Sequence, residues 1–364
     1  SVQFLSATVD ANGILWMGGE RGLVLRNSGS SWDTMNLAPD LIDVWSTSTT
    51  NAWAVGEFGF IFRFNGTNWT RQTSTTITRL NSVWGASSTD AFAGGDGGLL
   101  LHWNGTTWSS QSSPSSGDIL SLWGTSGQNV YASTYNGEVL HYDGTSWSVA
   151  TSQVNPLFAV YGSSASDVYA AGDLGTVIKF NGTSWTPVNT GSAALLAGIW
   201  SSSPTNVYSV GVLGSSAASF RYATSWQSVN VGVQSELTSI WGPSAVDLYV
   251  SGASGTILRY DGTNWQNMPT GTTEYLWSLS GDPNGLGGAF AVGFNSTLVT
   301  GLGPAATAGL RIGASSHASW SLEPAREALL ARGVVRALPA GAARRSLKLS
   351  HSPKLRAAGA AARR

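Results

Sequence analysis

The chain of 364 residues holds 45 glycines and 17 tryptophans, has no cysteine, and carries a net charge of -1 with only 11% charged residues. Without cysteine there is no disulfide framework, no Cys-based zinc site and no thiol nucleophile, and no stretch reaches the roughly 20 consecutive apolar residues of a membrane helix. The charge is uneven: residues 1–303 hold 8 Lys/Arg against 18 Asp/Glu, a balance of -10, while residues 304–364 hold 11 against 2, a balance of +9, which places a boundary near Gly303.

The opening Ser1-Val2-Gln3-Phe4 lacks the basic, apolar and small-residue pattern of a signal peptide. From there a repeat takes over. Its closing signature reads Phe64-Asn65-Gly66-Thr67-Asn68-Trp69, Trp103-Asn104-Gly105-Thr106-Thr107-Trp108, Tyr142-Asp143-Gly144-Thr145-Ser146-Trp147, Phe180-Asn181-Gly182-Thr183-Ser184-Trp185 and Tyr260-Asp261-Gly262-Thr263-Asn264-Trp265. Degenerate copies end at Trp32 and Trp226, and successive closing tryptophans lie 37, 39, 39, 38, 41 and 39 residues apart.

Within a unit, a short apolar strand such as Leu80-Asn81-Ser82-Val83-Trp84-Gly85 leads. A turn containing Asn or Asp and a second strand follow, as in Asp167-Val168-Tyr169-Ala170-Ala171-Gly172. A Gly-bounded turn introduces a third strand, Gly255-Thr256-Ile257-Leu258-Arg259-Tyr260 in one copy. Asn-Gly or Asp-Gly, dipeptides suited to a two-residue type I′ turn, then reverse the chain into a fourth strand at the closing Trp. Four antiparallel strands in about 39 residues make one propeller blade.

An eighth unit, from Leu276-Trp277 to Leu298-Val299, has three strands and no fourth. The leading Ser1-Val2-Gln3-Phe4 is expected to supply the missing strand and close the ring, which would protect sheet edges. The expected fold is an all-β propeller of eight four-stranded blades over residues 1–303; units of this length suit a seven-membered ring as well. Residues 304–364 read as a basic, mostly disordered Ala/Arg-rich tail, with a helix start at Ser321 and Pro324 and a helix over 321–338.

The whole repeat, Leu-x-x-Val-Trp-Gly through Asp-Val-Tyr-Ala-x-Gly to Tyr-Asp-Gly-Thr-Ser-Trp, resembles bacterial BNR-type and tectonin-type propeller repeats. That resemblance implies a propeller and a set of roles that includes lectins, assembly factors and surface proteins. The sialidase Asp-box spaces its Asp and Trp five apart, whereas Asp143 and Trp147 are four apart.

Two rings of polar residues recur. A cation precedes the closing Trp at Arg26, Arg63, His102, His141, Lys179 and Arg259, with Arg221 as a slipped equivalent. Presence in every blade points to a structural contact, stacked on an aromatic or bridged to a turn carboxylate. The second ring, Glu20, Glu57, Asp96, Tyr135 and Asp173, lies in the turn between the second and third strands. That turn shares a face with the variable connections between blades, where binding residues concentrate, so these five are the candidate ligand contacts.

No phosphate loop, zinc-spaced His pair or convergent arginine set is present, so neither a metal nor a cofactor is expected, and a sialidase-like hydrolase is the minor alternative. The acidity of residues 1–303 argues against nucleic acid. The expected role is non-catalytic binding of a glycan or a cell-surface protein, with a scaffold subunit as the other reading. Low charge and a Ser/Thr/Asn-rich surface suit a secreted bacterial protein in an extracellular, periplasmic or cell-surface setting.

Overall fold

In the third repeat, Leu80–Ser87, Asp90–Gly95, Leu100–Trp103 and Trp108–Gln111 are four strands paired in chain order, all antiparallel. The computed structural model describes residues 4–9, 15–19, 23–27, 32–36, 41–48, 51–65, 67–273, 275–281, 289–293 and 297–299. Among these, the strands form eight sheets, seven of four strands and one of three. The inner strand of each sheet lies against the inner strand of the next, and Leu276–Gly281 of the eighth lies against Phe4–Val9 of the first, which closes the ring.

Burial explains the sequence pattern of the second strands. Asn51–Gly56 and Asp167–Gly172 are buried along their whole length, because a blade's sheet is covered on both faces by its neighbours. Strands covered on both faces read as near-continuous apolar runs.

Aromatic rings carry much of this packing. Trp53 meets Trp103 and Trp108 of the following blade at 5.1 and 5.2 Å, the latter edge-on at 86°. Phe92 meets Trp147 (5.8 Å, 84°), Tyr131 meets Trp185 (5.9 Å, 73°) and Tyr208 meets Trp265 (6.3 Å, 74°) in the same way. Edge-to-face pairs put the positive rim of one ring on the negative face of the other. Trp108, Trp147, Trp185 and Trp265 are thus fasteners to the blade before them.

Polar groups stitch the inner strands together. Asp43 Oδ2 accepts the Val83 N–H at 2.9 Å, Ser82 Oγ accepts that of Leu122 at 3.2 Å, and Ser121 Oγ that of Val160 at 3.5 Å. A register shift interrupts each inner strand just before this point, between Leu41 and Asp43 and between Ile119 and Ser121, for example. Such bulges re-aim side chains at a rim, and here the extra residue and the one after it line a central cavity of about 350 Å³, with Ile42, Leu120 and Phe158 beside Asp43, Ser82 and Ser121.

Two expectations require correction. Phe4 does not complete the eighth sheet; it opens the inner strand of the first, paired with Gly19, and that strand lies between the inner strands of the second and eighth blades. Residues 1–3 lie outside the described set, as do residues 304–364 and the helix expected over 321–338.

The Asn-Gly and Asp-Gly turns are also not two-residue turns. Trp103 pairs with Trp108 and Tyr142 with Trp147, which leaves four residues in each loop. The Asn104 and Asp143 carboxamide and carboxylate oxygens each accept two following N–H groups at 2.8–3.0 Å, so the side chain caps the loop and only the glycine takes a positive φ. These two N–H donors also hold the Asp143 carboxyl below the usual carboxylate range. In consequence the repeated cation faces the residue after the closing Trp, as His102 faces Ser109.

Candidate functional site

The two ends of the ring differ in construction. At the end bearing the Asn-Gly loops, three positions recur in the second to seventh blades: an Asn or Asp at the start of the second strand, an aromatic two residues on, and the cation on the third strand. Register places the aromatic opposite the cation, Trp53 with Arg63, Phe92 with His102, Tyr131 with His141, Tyr169 with Lys179, Tyr208 with Arg221 and Tyr249 with Arg259. The Arg63 guanidinium lies 5.1 Å from Trp53 and 5.4 Å from Trp103 of the next blade, and donates to Asn51 Oδ1 at 3.3 Å and to the Ser88 carbonyl at 2.9 Å.

The same scheme repeats with different chemistry. His102 stacks on Phe92 at 4.3 Å and bonds Asp90 at 2.8 Å; His141 stacks on Tyr131 at 4.6 Å and bonds Asn129 at 2.7 Å. Burial pushes the His141 imidazole below its ordinary value, with Asp143 opposing it. Lys179 donates to the Pro204 carbonyl of the next blade at 3.0 Å and lies 3.7 Å from Asp167. Arg221 bonds Asn206, and Arg259 bonds Asp247 at 2.8 Å. Arg221 occupies the same register as the others; its blade has a longer second hairpin. Arg26 stands opposite Trp16 in the first sheet. The Asn/Asp partner was legible as the polar residue that begins each second strand, twelve positions before the cation in most blades.

The other end carries the predicted ligand contacts. Here the second and third strands join through tight turns in which two successive residues have positive φ: Phe58 and Gly59 at 55° and 67°, Gly97 and Gly98 at 67° and 78°, Leu174 and Gly175 at 52° and 67°. These are the type I′ turns of the fold. The connection to the next blade drapes over the second glycine; a β-carbon on Gly98 would meet the Ser115 carbonyl oxygen at 2.0 Å, and one on Gly175 the Ser192 carbonyl oxygen at 2.1 Å. The connections are therefore pinned to the turns.

Of the predicted carboxylates, Glu57 adds to that pinning, and Asp96 and Asp173 bond within their own blades. Glu57 pairs with Arg79 Nε at 3.1 Å, tying the second blade's turn to the connection that enters the third. Asp96 accepts from Asn81 Nδ2 at 2.8 Å, and Asn81 also donates to the Ile119 carbonyl at 3.2 Å. Asp173 accepts the Leu174 N–H at 2.9 Å. Tyr135 packs with Leu120, Phe158 and Leu195 at the cavity mouth. Glu20 lies outside the described residues. No hydrogen bond or ion pair links two of the five among the described residues; each serves its own blade or the next.

Several residues of this end escaped the sequence reading. Asp118 Oδ1 accepts the Gly97 N–H at 2.7 Å from a neighbouring blade. Glu138 takes a very short hydrogen bond from Ser115 Oγ and lies near Thr134. Glu236 accepts from Tyr275 Oη at 3.2 Å, and burial pushes both the carboxyl and the phenol up. Asp118 and Glu236 immediately precede the inner strands of the fourth and seventh blades and Glu138 opens the fourth blade's third strand, so no repeat advertises them. Among the described residues no group of three or more His, Asp and Glu converges as a metal site.

No family model and no curated protein matches this chain. Solved structures do. YCF48 bound to a D1 peptide is 16% identical over 70% of this chain and 90% of that one, with a TM-score of 0.54. The C-terminal WD40 domain of Sif2 is 13% identical over 80% and 93%, at 0.64. The computationally designed Ika8 protein is 13% identical over 81% and 95%, also at 0.64. At such identities the likeness establishes the fold, a β-propeller of four-stranded blades, and the narrower BNR or tectonin resemblance rests on the repeat alone.

Proposed function

We propose that this propeller is a non-catalytic binding module that holds a protein partner on its loop end, the face carrying Glu57, Asp96, Tyr135 and Asp173. The carrying observation is the division of labour between the two ends. The described repeated cations are consumed in contacts with Asn, Asp and aromatic partners of their own blade or the next, whereas the loop end varies from blade to blade on pinned turns. A rigid scaffold with variable loops is where recognition is built.

A similar structure, YCF48, is bound to a peptide, which favours a protein over a glycan. Sugar stacking requires a flat aromatic face open to solvent, yet Trp84 and Trp200 are buried and Trp123 leans on Tyr161 at 5.8 Å. An extracellular, periplasmic or cell-surface setting belongs to the same proposal, supported by 11% charged residues and a sequence rich in Ser, Thr and Asn. The test is a parallel screen of the full chain on peptide and glycan arrays, followed by titration calorimetry. The reading requires a peptide ligand near one per chain that weakens on Asp96→Ala or Asp118→Ala. Glycan binding at several equivalent sites per chain would replace it with a lectin.

A further inference from the structure

Phe58 and Leu174 occupy equivalent places in the second and fifth blades. Each is the first of the two positive-φ residues of its type I′ turn. Asn and Gly are preferred there because a β-carbon crowds the left-handed conformation, and Gly97 and Ser254 stand at that place in the third and seventh blades. A large apolar residue is disfavoured twice, since the turn also projects it into water. Phe58 is 63% exposed and Leu174 50%.

They have company. Leu213, at the tip of the sixth blade's hairpin, and Ile77 and Val154, on connections entering the third and fifth blades, are exposed too. Of seven exposed large apolar side chains among the described residues, these five lie at the loop end; only Val149, on an outer strand, and Val246, at a turn between first and second strands, lie elsewhere. Apolar groups gathered on one face of a soluble fold mark an interaction site, and strained residues persist where function needs them.

The charge beside them is acidic. Glu57 precedes Phe58, Asp173 precedes Leu174, and Asp96 and Asp118 lie on the blades between. The described cations of this end are engaged: Arg79 is paired with Glu57, and Arg71 lies 3.8 Å above the Phe60 ring. The second and fifth blades stand three apart in the ring of eight, so a segment touching both crosses the cavity mouth, where Leu120 and Phe158 add apolar lining.

We propose that the loop end binds an extended segment of another protein in which apolar side chains alternate with Lys or Arg. The apolar groups pack on Phe58, Ile77 and Leu174, and the cations meet Glu57 and Asp173. The acidity that selects a basic segment also disfavours an anionic lipid surface. This inference rests on the protein-binding reading and adds the chemistry of the partner.

The test uses fluorescence anisotropy on the full chain with synthetic 12-residue peptides that alternate Leu with Lys, with Ser or with Glu. The double variant Phe58→Asn, Leu174→Asn is the informative one, because Asn suits the turn and the fold is retained or strengthened. The Leu/Lys peptide should bind at least 10-fold tighter than the Leu/Glu peptide, and the double variant should weaken it at least 10-fold with no loss of thermal stability. Peptide binding that ignores the double variant but is lost on Asp118→Ala would overturn this inference and leave the protein-binding reading standing. Failure of all three peptides to bind, or binding of phosphatidylcholine/phosphatidylserine vesicles that the double variant abolishes, would overturn it as well; a glycan as the sole ligand sinks both.

Discussion

The two ends of the ring use the same scaffold to opposite purposes. At the Asn-Gly end, the same three-part contact of Asn or Asp, aromatic and cation is made again and again, and its members face one another. At the loop end, equivalent places hold Phe, Gly, Asn, Leu and Ser, and their neighbours differ in charge and size. Uniformity goes with packing and variety with recognition: a contact set in the same environment in each blade is met by the same residues, whereas a ligand is asymmetric and is met by unlike ones.

Breaking the uniform end should have the largest effect. Trp53 is fully buried between two tryptophans of the next blade, and Trp53→Ala is expected to cost about 3–5 kcal/mol by removing a large core side chain, read as a shift in the denaturant midpoint. A single Ala substitution at the loop end, such as Ile77→Ala, should stay within about 0.5 kcal/mol because Ile77 is 85% exposed. Equal costs at the two positions would erase the distinction.

Next in size is the polar member of the contact. Asp247→Ala removes the partner of Arg259, half-hidden beside Tyr249, and should cost about 1–2 kcal/mol. Asp247→Asn should cost much less, since Asn51, Asn129 and Asn206 already hold their cations in other blades. A charge-dominated contact would instead make the two variants alike.

At the loop end the sign reverses. Phe58→Asn and Leu174→Asn relieve left-handed backbone and should each raise stability by roughly 1 kcal/mol, visible as a higher Tm, while binding falls. A stabilising change that costs function is the mark of a residue kept for recognition.

The smallest effect concerns His141. Burial lowers its folded-state pKa, so as pH falls below about 6.5 the unfolded chain takes up the proton first and stability declines until the folded value is passed. His141→Gln should flatten that part of a Tm-against-pH curve. An unchanged slope would remove His141 as its source.

Legibility in the sequence followed repetition. The period of about 39 residues, the four-strand unit and the cation position were visible because the ring imposes one environment many times. The turns were misassigned for a local reason: Asn-Gly has the preferred composition of a type I′ turn, but the Asn104 side chain caps a four-residue loop, while the true type I′ turns contain Phe58-Gly59 and Leu174-Gly175. The first blade's inner strand does not show in the repeat because Thr8 stands opposite Trp16 where the second to seventh blades place an aromatic.

Periodicity by itself therefore determined the architecture, the number of strands in a unit and which residues had to be equivalent, since near-identical sheets can bury their apolar faces only against copies of themselves. Which end those residues serve, that Glu57 ties a connection to its turn, and that Phe58 and Leu174 stand in water on strained backbone were decided by tertiary structure, because exposure and backbone sign arise only when the blades are set side by side.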